Sequence, residues 1–245
     1  MAAPLDAVAH RPWPVPDRRW SLAMRWHDLA FLHRPVRPAL LRPHLPPGLE
    51  LDTLDGSAWL GSVPFRMSGV RPRLAPALPG VSAFPELNLR TYVTADGKPG
   101  VWFFSLDVTR RLAVAVARAR FHLPYFHARM AFVERGGWID YAHARDEAIG
   151  FRARYRGVGA PFQAAPGSLE AWLVERYCLY AADRRGRLWR GDVHHAPWTL
   201  QRAEVELERD TLAAQLGLAE FGGEPLAHFA RSLDVVAWSP RRLDA

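Results

Sequence analysis

The 245-residue chain is short of several things, and each shortage removes a class of function. It has one cysteine, Cys178, which can neither form an internal disulfide nor supply a thiolate metal site by itself. A reducing, cytoplasmic setting is the expectation. It has one lysine, Lys98, so arginine carries nearly all of the basic charge. No stretch approaches the roughly 18 uncharged apolar residues a membrane helix needs. Prolines and arginines also break up residues 1–20 before an apolar leader could form, so neither a membrane span nor a signal peptide is expected. The Walker loop, GxGxxG fingerprint, GxSxG elbow and HExxH helix are missing, which removes the usual sequence support for nucleotide, triad-hydrolase and zincin chemistry.

What is present describes an ordinary globular chain, 49% hydrophobic and 23% charged, able to bury one sizeable core. Thirty-two basic against 25 acidic residues leave a net charge of +7, which invites a nucleic-acid reading. The arginines are scattered, however. The densest groups, Arg184-Arg185-Gly186-Arg187 and Arg110-Arg111, sit where turns and helix edges are solvated anyway, so a nucleic-acid surface is only the third-ranked alternative.

Residues 1–20 are proline-rich and aperiodic and read as an arm draped over a single domain spanning 21–245. Pro38 opens a short helix closed by His44-Leu45-Pro46-Pro47. Asp55-Gly56 between Leu49–Leu51 and Ser57–Phe65, and Asp96-Gly97 between Leu87–Thr94 and Val101–Leu106, are hairpin signals. Gly136-Gly137 separates strands at Ala128–Glu134 and Trp138–His143, and an Arg-Arg-Gly turn separates Tyr177–Ala182 from Leu188–Val193. Late strands follow at Gln201–Leu207 and Ser232–Trp238. Helical character interrupts the series at Arg111–Phe121 and at Ser168–Arg176, where Ser168 can cap. The expected fold class is α+β: one domain dominated by a curled or doubled antiparallel sheet, with a few short helices.

The most informative strand is Glu86 to Val93. Period 2 places Leu87, Leu89, Thr91 and Val93 on one face and Glu86, Asn88, Arg90 and Tyr92 on the other. The polar face is either a solvated exterior with a cross-strand ion pair, or the lining of a polar cavity. In the second case Arg90 would clamp a carboxylate and Glu86 would act as acid or base. Three further segments carry candidates. Tyr125 and Phe126 sit at a helix-to-strand corner, where aromatic packing is the simpler explanation. Arg176 either binds an anion or pairs with Glu175. Cys178 reads as a small buried apolar residue. In Asp192-Val193-His194-His195, neighbours on a strand point to opposite faces, so the two histidines should not share an ion; no metal and no cofactor is expected.

The ordered blocks FPELNLRTYV, GKPGVWFFSLD, LPYFHARM, PGSLEAWLVERYCLY and HHAPW, with an early LLRPHLPPGLELDTLDGSAWLGSVPF, together resemble the YqjF-like family of domains of unknown function. That family belongs to the acetoacetate decarboxylase-like superfamily, and the resemblance runs from Trp26 to Trp238. Arg34 stands where the family commonly has Trp after His33. The resemblance implies a curled antiparallel sheet, a cone or barrel around a cavity, flanked by short helices and often assembled into homo-oligomers. In the decarboxylases a lysine attacks the ketone as a Schiff base. Here that motif falls on Pro124-Tyr125-Phe126, which has no amine, and Lys98 lies in a D-G-K-P-G turn. The cavity glutamate of the superfamily resembles Glu86 in context.

The leading expectation is therefore a small-molecule pocket protein for an organic acid or carbonyl compound, acting as a lyase, isomerase or hydratase that needs no amine. Glu86 and Arg90 are the candidate catalytic residues; Asn88, Tyr92, Tyr125, Arg176 and His195 are candidate ligand contacts. The alternative from another class is a non-catalytic sensor or carrier for the same ligand.

Overall fold

The computed structural model describes residues 7–78, 82–218 and 223–243. Its strands are β1 (Leu22–Val36), β2 (Glu50–Leu51), β3 (Ala58–Pro72), β4 (Phe84–Ala95), β5 (Lys98–Val108), β6 (Tyr125–His127) and β7 (Arg129–Arg135). There follow β8 (Trp138–Ala144), β9 (Gly150–Gln163), β10 (Cys178–Ala182), β11 (Leu188–His195), β12 (Thr199–Asp210), β13 (Leu226–Ala237) and β14 (Arg241–Arg242). Three α-helices, α1 (Pro38–Leu41), α2 (Arg111–Phe121) and α3 (Leu169–Val174), interrupt them, and none is long and apolar enough to cross a membrane.

Pairing runs β11-β10-β5-β4-β3-β1-β13, and β13 pairs back onto β11, so these strands close into a ring. Closure removes exposed edges that would otherwise need covering. Strands β12, β9, β8 and β7 continue outward from β13 as a second layer. One core lies between the layers, joining Leu32, Leu60, Leu87 and Leu89 to Tyr141, Phe151 and Tyr155. The opposite face of the same ring strands holds another, built from Phe31, Val63, Phe65, Tyr92 and Trp198 under α3. Consecutive residues of β1, β3 and β4 therefore enter different cores, and both faces are buried.

Local chemistry explains most of these elements. Asp96-Gly97 and Gly136-Gly137 both adopt the paired positive-φ geometry of a two-residue hairpin turn, and the strands expected beside them pair as expected. Asp55-Gly56 also turns, but the turn closes only the Leu54–Ser57 bridge. The segment Leu49–Leu51 does not continue that hairpin; its Glu50–Leu51 pairs with β4 instead. Ser168 caps α3 by accepting from the Ala171 amide at 3.2 Å.

Two long strands have no counterpart in the sequence expectations, β1 and β9. β1 carries a bulge at Asp28, which takes a positive φ and shifts the register with β3. The buried Asp28 carboxylate is held by Arg66 Nε at 2.9 Å and Arg231 Nη1 at 2.7 Å, and its carbonyl accepts from Tyr155 Oη at 2.9 Å. The described part of the N-terminal segment, from residue 7 on, contacts the body, with His10 Nε2 bonding to the His195 carbonyl at 2.8 Å. Arg11 within it is buried, donating to the Val193 carbonyl at 2.7 Å.

Ring closure depends on a close approach at Gly100. A Cβ there would lie 2.7 Å from Cys178 Sγ and 2.8 Å from the Cys178 carbonyl, at the parallel β5–β10 junction. Gly100→Ala should therefore cost about 1–3 kcal/mol in urea unfolding, as overpacked core positions do. Unchanged stability would show that this junction yields freely and does not constrain the ring.

Candidate functional site

The β3–β4 register is unbroken from Met67/Phe84 to Leu60/Thr91, so the alternation along β4 survives intact. Glu86, Asn88, Arg90 and Tyr92 share the face that meets Phe31 and Phe65 across β3, on the ring side under α3. Glu86 is 3% exposed, Asn88 6% and Tyr92 0%, while Arg90 is half-buried. The solvated exterior is thus the wrong alternative for this face. The two main clefts among the described residues are not lined by these four residues.

The polar groups fall into successive levels along the strand. At the first, Tyr125 Oη donates to Glu86 Oε2 at 3.2 Å, which brings the helix-to-strand corner and β4 together. Burial pushes the Glu86 carboxyl up to about 8; hydrogen bonds from Tyr125 and Asn88 offset part of this, and Asp107 adds to it. Burial, then the neighbouring Glu86, holds Tyr125 well above the ordinary phenol range. Glu86 is therefore mostly a neutral acid at pH 7. Asn88 Oδ1 is buried with no hydrogen-bond partner among the described residues.

At the next level, Tyr92 Oη and His33 Nε2 share a 2.7 Å hydrogen bond. Burial, with Arg90 and His228 nearby, drives the His33 pKa well below its ordinary value, so the ring is neutral. Gly61 makes room for this level, since a Cβ there would meet His33 at 3.0 Å and Arg90 Cγ at 3.5 Å. Arg90 donates to the Leu173 carbonyl at 3.3 Å and lies 5.4 Å over the Phe31 ring. Its Nε is buried without a partner, and no carboxylate among the described residues lies within ion-pair distance of it.

Arg176, just after α3, closes the level. It does not pair with Glu175, the partner expected if it bound no anion. Arg176 Nη1 meets Asp52 Oδ2 at 2.6 Å, and Nε donates to the Trp172 carbonyl at 2.6 Å. Glu175 instead accepts the Tyr177 hydroxyl and the Trp198 amide, the latter at 2.9 Å. The Arg176 guanidinium lies 4.4 Å over Trp172 and 4.9 Å over Tyr92. Burial lowers its pKa and Asp52 opposes that effect.

His195 lies apart from these polar groups. It is buried 4.8 Å from the Tyr177 ring and 5.3 Å from Trp198, and donates through Nδ1 to the Ala196 carbonyl at 2.7 Å. Burial lowers its pKa to about 4, so it serves as a neutral member of an aromatic layer. His194 turns the other way, toward Arg11 at 3.2 Å, as strand alternation requires. His33, Asp52 and Trp172 were not singled out in the sequence. His33 follows Phe31 and Leu29 at period 2 along β1, a signal that the Asp28 bulge interrupts; nothing local marks Asp52.

Residues 23–234 match the family model described as an uncharacterized conserved protein, DUF2071. The chain is also 47% identical over 230 residues to the uncharacterized protein YqjF of Bacillus subtilis, covering 93% of this chain and 95% of that one. The chain belongs to the YqjF-like DUF2071 family. Among solved structures, the enduracididine biosynthesis enzyme MppR complexed with pyruvate superposes with a TM-score of 0.65 at 15% identity, over 93% of this chain and 92% of that one. Acetoacetate decarboxylase from Legionella pneumophila gives 0.64 at 14% identity, over 100% and 96%. At such identity the likeness establishes a shared fold. Within this member of the DUF2071 family, Tyr125 occupies the corner beside Glu86. Lys98 lies elsewhere, its ammonium 5.7 Å over the Trp13 ring. Arg34, the departure after His33, forms a buried ion pair with Asp210 at 3.0 Å.

The Glu86 shift has a definite sign. An unfolded carboxyl ionises near its ordinary value of 4.5, whereas the folded one stays protonated to about 8. The ionisation penalty of burying Glu86 is therefore absent well below pH 4.5 and grows as pH rises toward 8. Glu86→Gln should remove this slope, leaving the variant more stable than the parent above pH 8 by several kcal/mol at most, on the order of 4. Parallel stability-versus-pH curves for the two proteins would contradict the assignment.

Proposed function

We propose that this protein binds a small organic acid or carbonyl compound on the Glu86–Tyr92 face of β4 and performs acid–base chemistry there without an amine nucleophile. One observation carries the reading: Arg90 is a half-buried guanidinium with no carboxylate among the described residues within ion-pair distance, whereas three other inward arginines each have one. Arg34 has Asp210, Arg145 has Asp107 and Arg176 has Asp52. A cation taken from water without a counter-charge is costly, and a ligand carboxylate would offset that cost with two parallel hydrogen bonds. The unpartnered Asn88 Oδ1 offers an acceptor beside it. Glu86, neutral at pH 7, can donate a proton to a carbonyl oxygen and take it back, with Tyr125 fixing its orientation.

Pyruvate, bound by a neighbour of the same fold, makes 2-oxo acids the first ligands to try. Calorimetric titration with pyruvate, acetoacetate and succinate should reveal at least one saturable binder. Arg90→Ala should weaken it tenfold or more, about 1.4 kcal/mol, and Arg90→Lys should restore little because an ammonium cannot clamp a carboxylate bidentately. Failure of all three acids to bind, or undiminished affinity in a folded Arg90→Ala protein, would overturn the proposal. The sensor or carrier alternative predicts the same binding with no turnover.

A further inference from the structure

The ring has a break in its wall. Strand β5 is hydrogen-bonded to β4 along one edge, but its other edge is shared by two short strands. β10 pairs with it in parallel at Val101–Trp102, and β6 at Leu106–Val108. Phe103, Phe104 and Ser105 lie between, with neither strand opposite them. At about 3.3 Å per residue this leaves roughly 10 Å of β5 without a neighbour. A β-bulge in the same stretch, where the pairing partner of Leu89 is Ser105 and that of Arg90 is Phe103, widens the irregularity.

A cleft of about 1210 Å³ fills this break, walled by Phe103 and Phe104, by Leu123 and Pro124 ahead of β6, and by Ala181 and Ala182 at the end of β10. Phe103 stands directly opposite Arg90 in register, and Leu106 stands opposite both Asn88 and Tyr125. Phe103, Leu106, Leu123, Ala181 and Tyr125 form one apolar cluster, and through Phe103 and Tyr125 it reaches from the cleft to the neighbours of Arg90 and Glu86.

The rim of the cleft is basic. Arg118, Arg184 and Arg185 are exposed on it, and His44 and His122 also border it. The one acid of the rim, Asp183, is already engaged by Arg187 at 2.7 Å and by the amides of Arg185 and Arg187. The mouth therefore presents net positive charge above an aromatic and aliphatic floor.

We propose that the opening between β10 and β6 is the route by which ligand reaches the interior of the ring, with Phe103 as its inner gate, and that its lining selects a small anion with an apolar body. This rests on the reading of the Glu86–Arg90 face as a ligand site and adds the path and the chemical class. Field lines from the rim arginines raise the local concentration of anions, and such steering accelerates association by roughly tenfold to a thousandfold at low salt. Displacement of one aromatic side chain then suffices for passage, a motion of the kind that gates many buried sites.

The test reads access directly and needs no ligand. In a Cys178→Ala background, Tyr125→Cys places the only thiol on the interior side of Phe103. Its labelling is followed with the anionic 2-sulfonatoethyl methanethiosulfonate and with neutral methyl methanethiosulfonate. Arg184→Glu together with Arg185→Glu should slow the anionic reagent about tenfold at low salt while leaving the neutral one within twofold, and salt should erase the difference. Phe103→Ala should accelerate both reagents severalfold. If Tyr125→Cys does not fold, Leu106→Cys reports from the same cluster. Rates indifferent to both the charge reversal and Phe103→Ala would place the route elsewhere and overturn the inference. Failure of organic acids to bind, with labelling behaving as expected, would instead remove the ligand reading and leave a charged opening with no acid to admit.

Discussion

Strand β4 is covered on both sides, and most of what is distinctive about this protein follows from that constraint. A strand with one wet face can carry any polar residue on it. A strand buried on both faces must satisfy each polar side chain inside the protein or bear the cost of leaving it unpaired. β4 nevertheless carries a carboxyl, an amide, a guanidinium and a phenol in succession. The phenol is satisfied by His33 and the carboxyl by protonation and by Tyr125. The amide oxygen and the guanidinium Nε are not satisfied. A fold selected for stability alone would place leucine or valine at these positions, as it does at Leu87, Leu89 and Val93 on the other face.

The electrostatics of the interior point the same way. Arg176 is neutralised by Asp52, His33 and His195 are held neutral by burial, and Glu86 is mostly protonated at pH 7. Arg90 is therefore the charge left unbalanced on that face. Had Glu86 ionised normally it would have competed with any incoming anion. On the proposed reading, its raised pKa would keep it available as a proton donor while leaving the field of Arg90 intact, so two roles that would conflict for an ordinary carboxylate become compatible.

The sequence made this face legible because β4 is regular: the register with β3 never slips, and period 2 assigns each side chain correctly. The tight turns were legible for a similar reason, since Asp-Gly and Gly-Gly leave few backbone alternatives. β1 was not, because a bulge at Asp28 shifts its phase midway and mixes the two faces into one aperiodic run. β9 escaped for the opposite reason. Its Phe151, Ala153 and Tyr155 alternate with Arg152, Arg154 and Arg156 as a strand should, but three glycines and a proline obscure the pattern. Long-range choices were beyond reach in principle: Arg176 takes Asp52, 124 residues away, over its neighbour Glu175. A single sequence shows which arginines exist, and only the fold shows which of them meet a carboxylate.

The spacing of the two principal groups would also limit what the proposed site accepts. Glu86 and Arg90 are four residues apart on one strand, so their Cα atoms are separated by about 13 Å. No direct ion pair forms between them, and none is needed, since one is neutral. On the proposed reading, long side chains from both ends would bridge the space together with the ligand itself. A carboxylate docked on Arg90 would project its carbon chain back along β4 toward Asn88 and the Glu86–Tyr125 pair, past Phe103 and Leu106. Apolar side chains along that path favour a carbon skeleton, and the neutral acid at its end favours a carbonyl or hydroxyl group. On the proposed reading, the same groups that leave the interior electrostatically unbalanced would select an acid at one end, an apolar middle and a polar oxygen at the other.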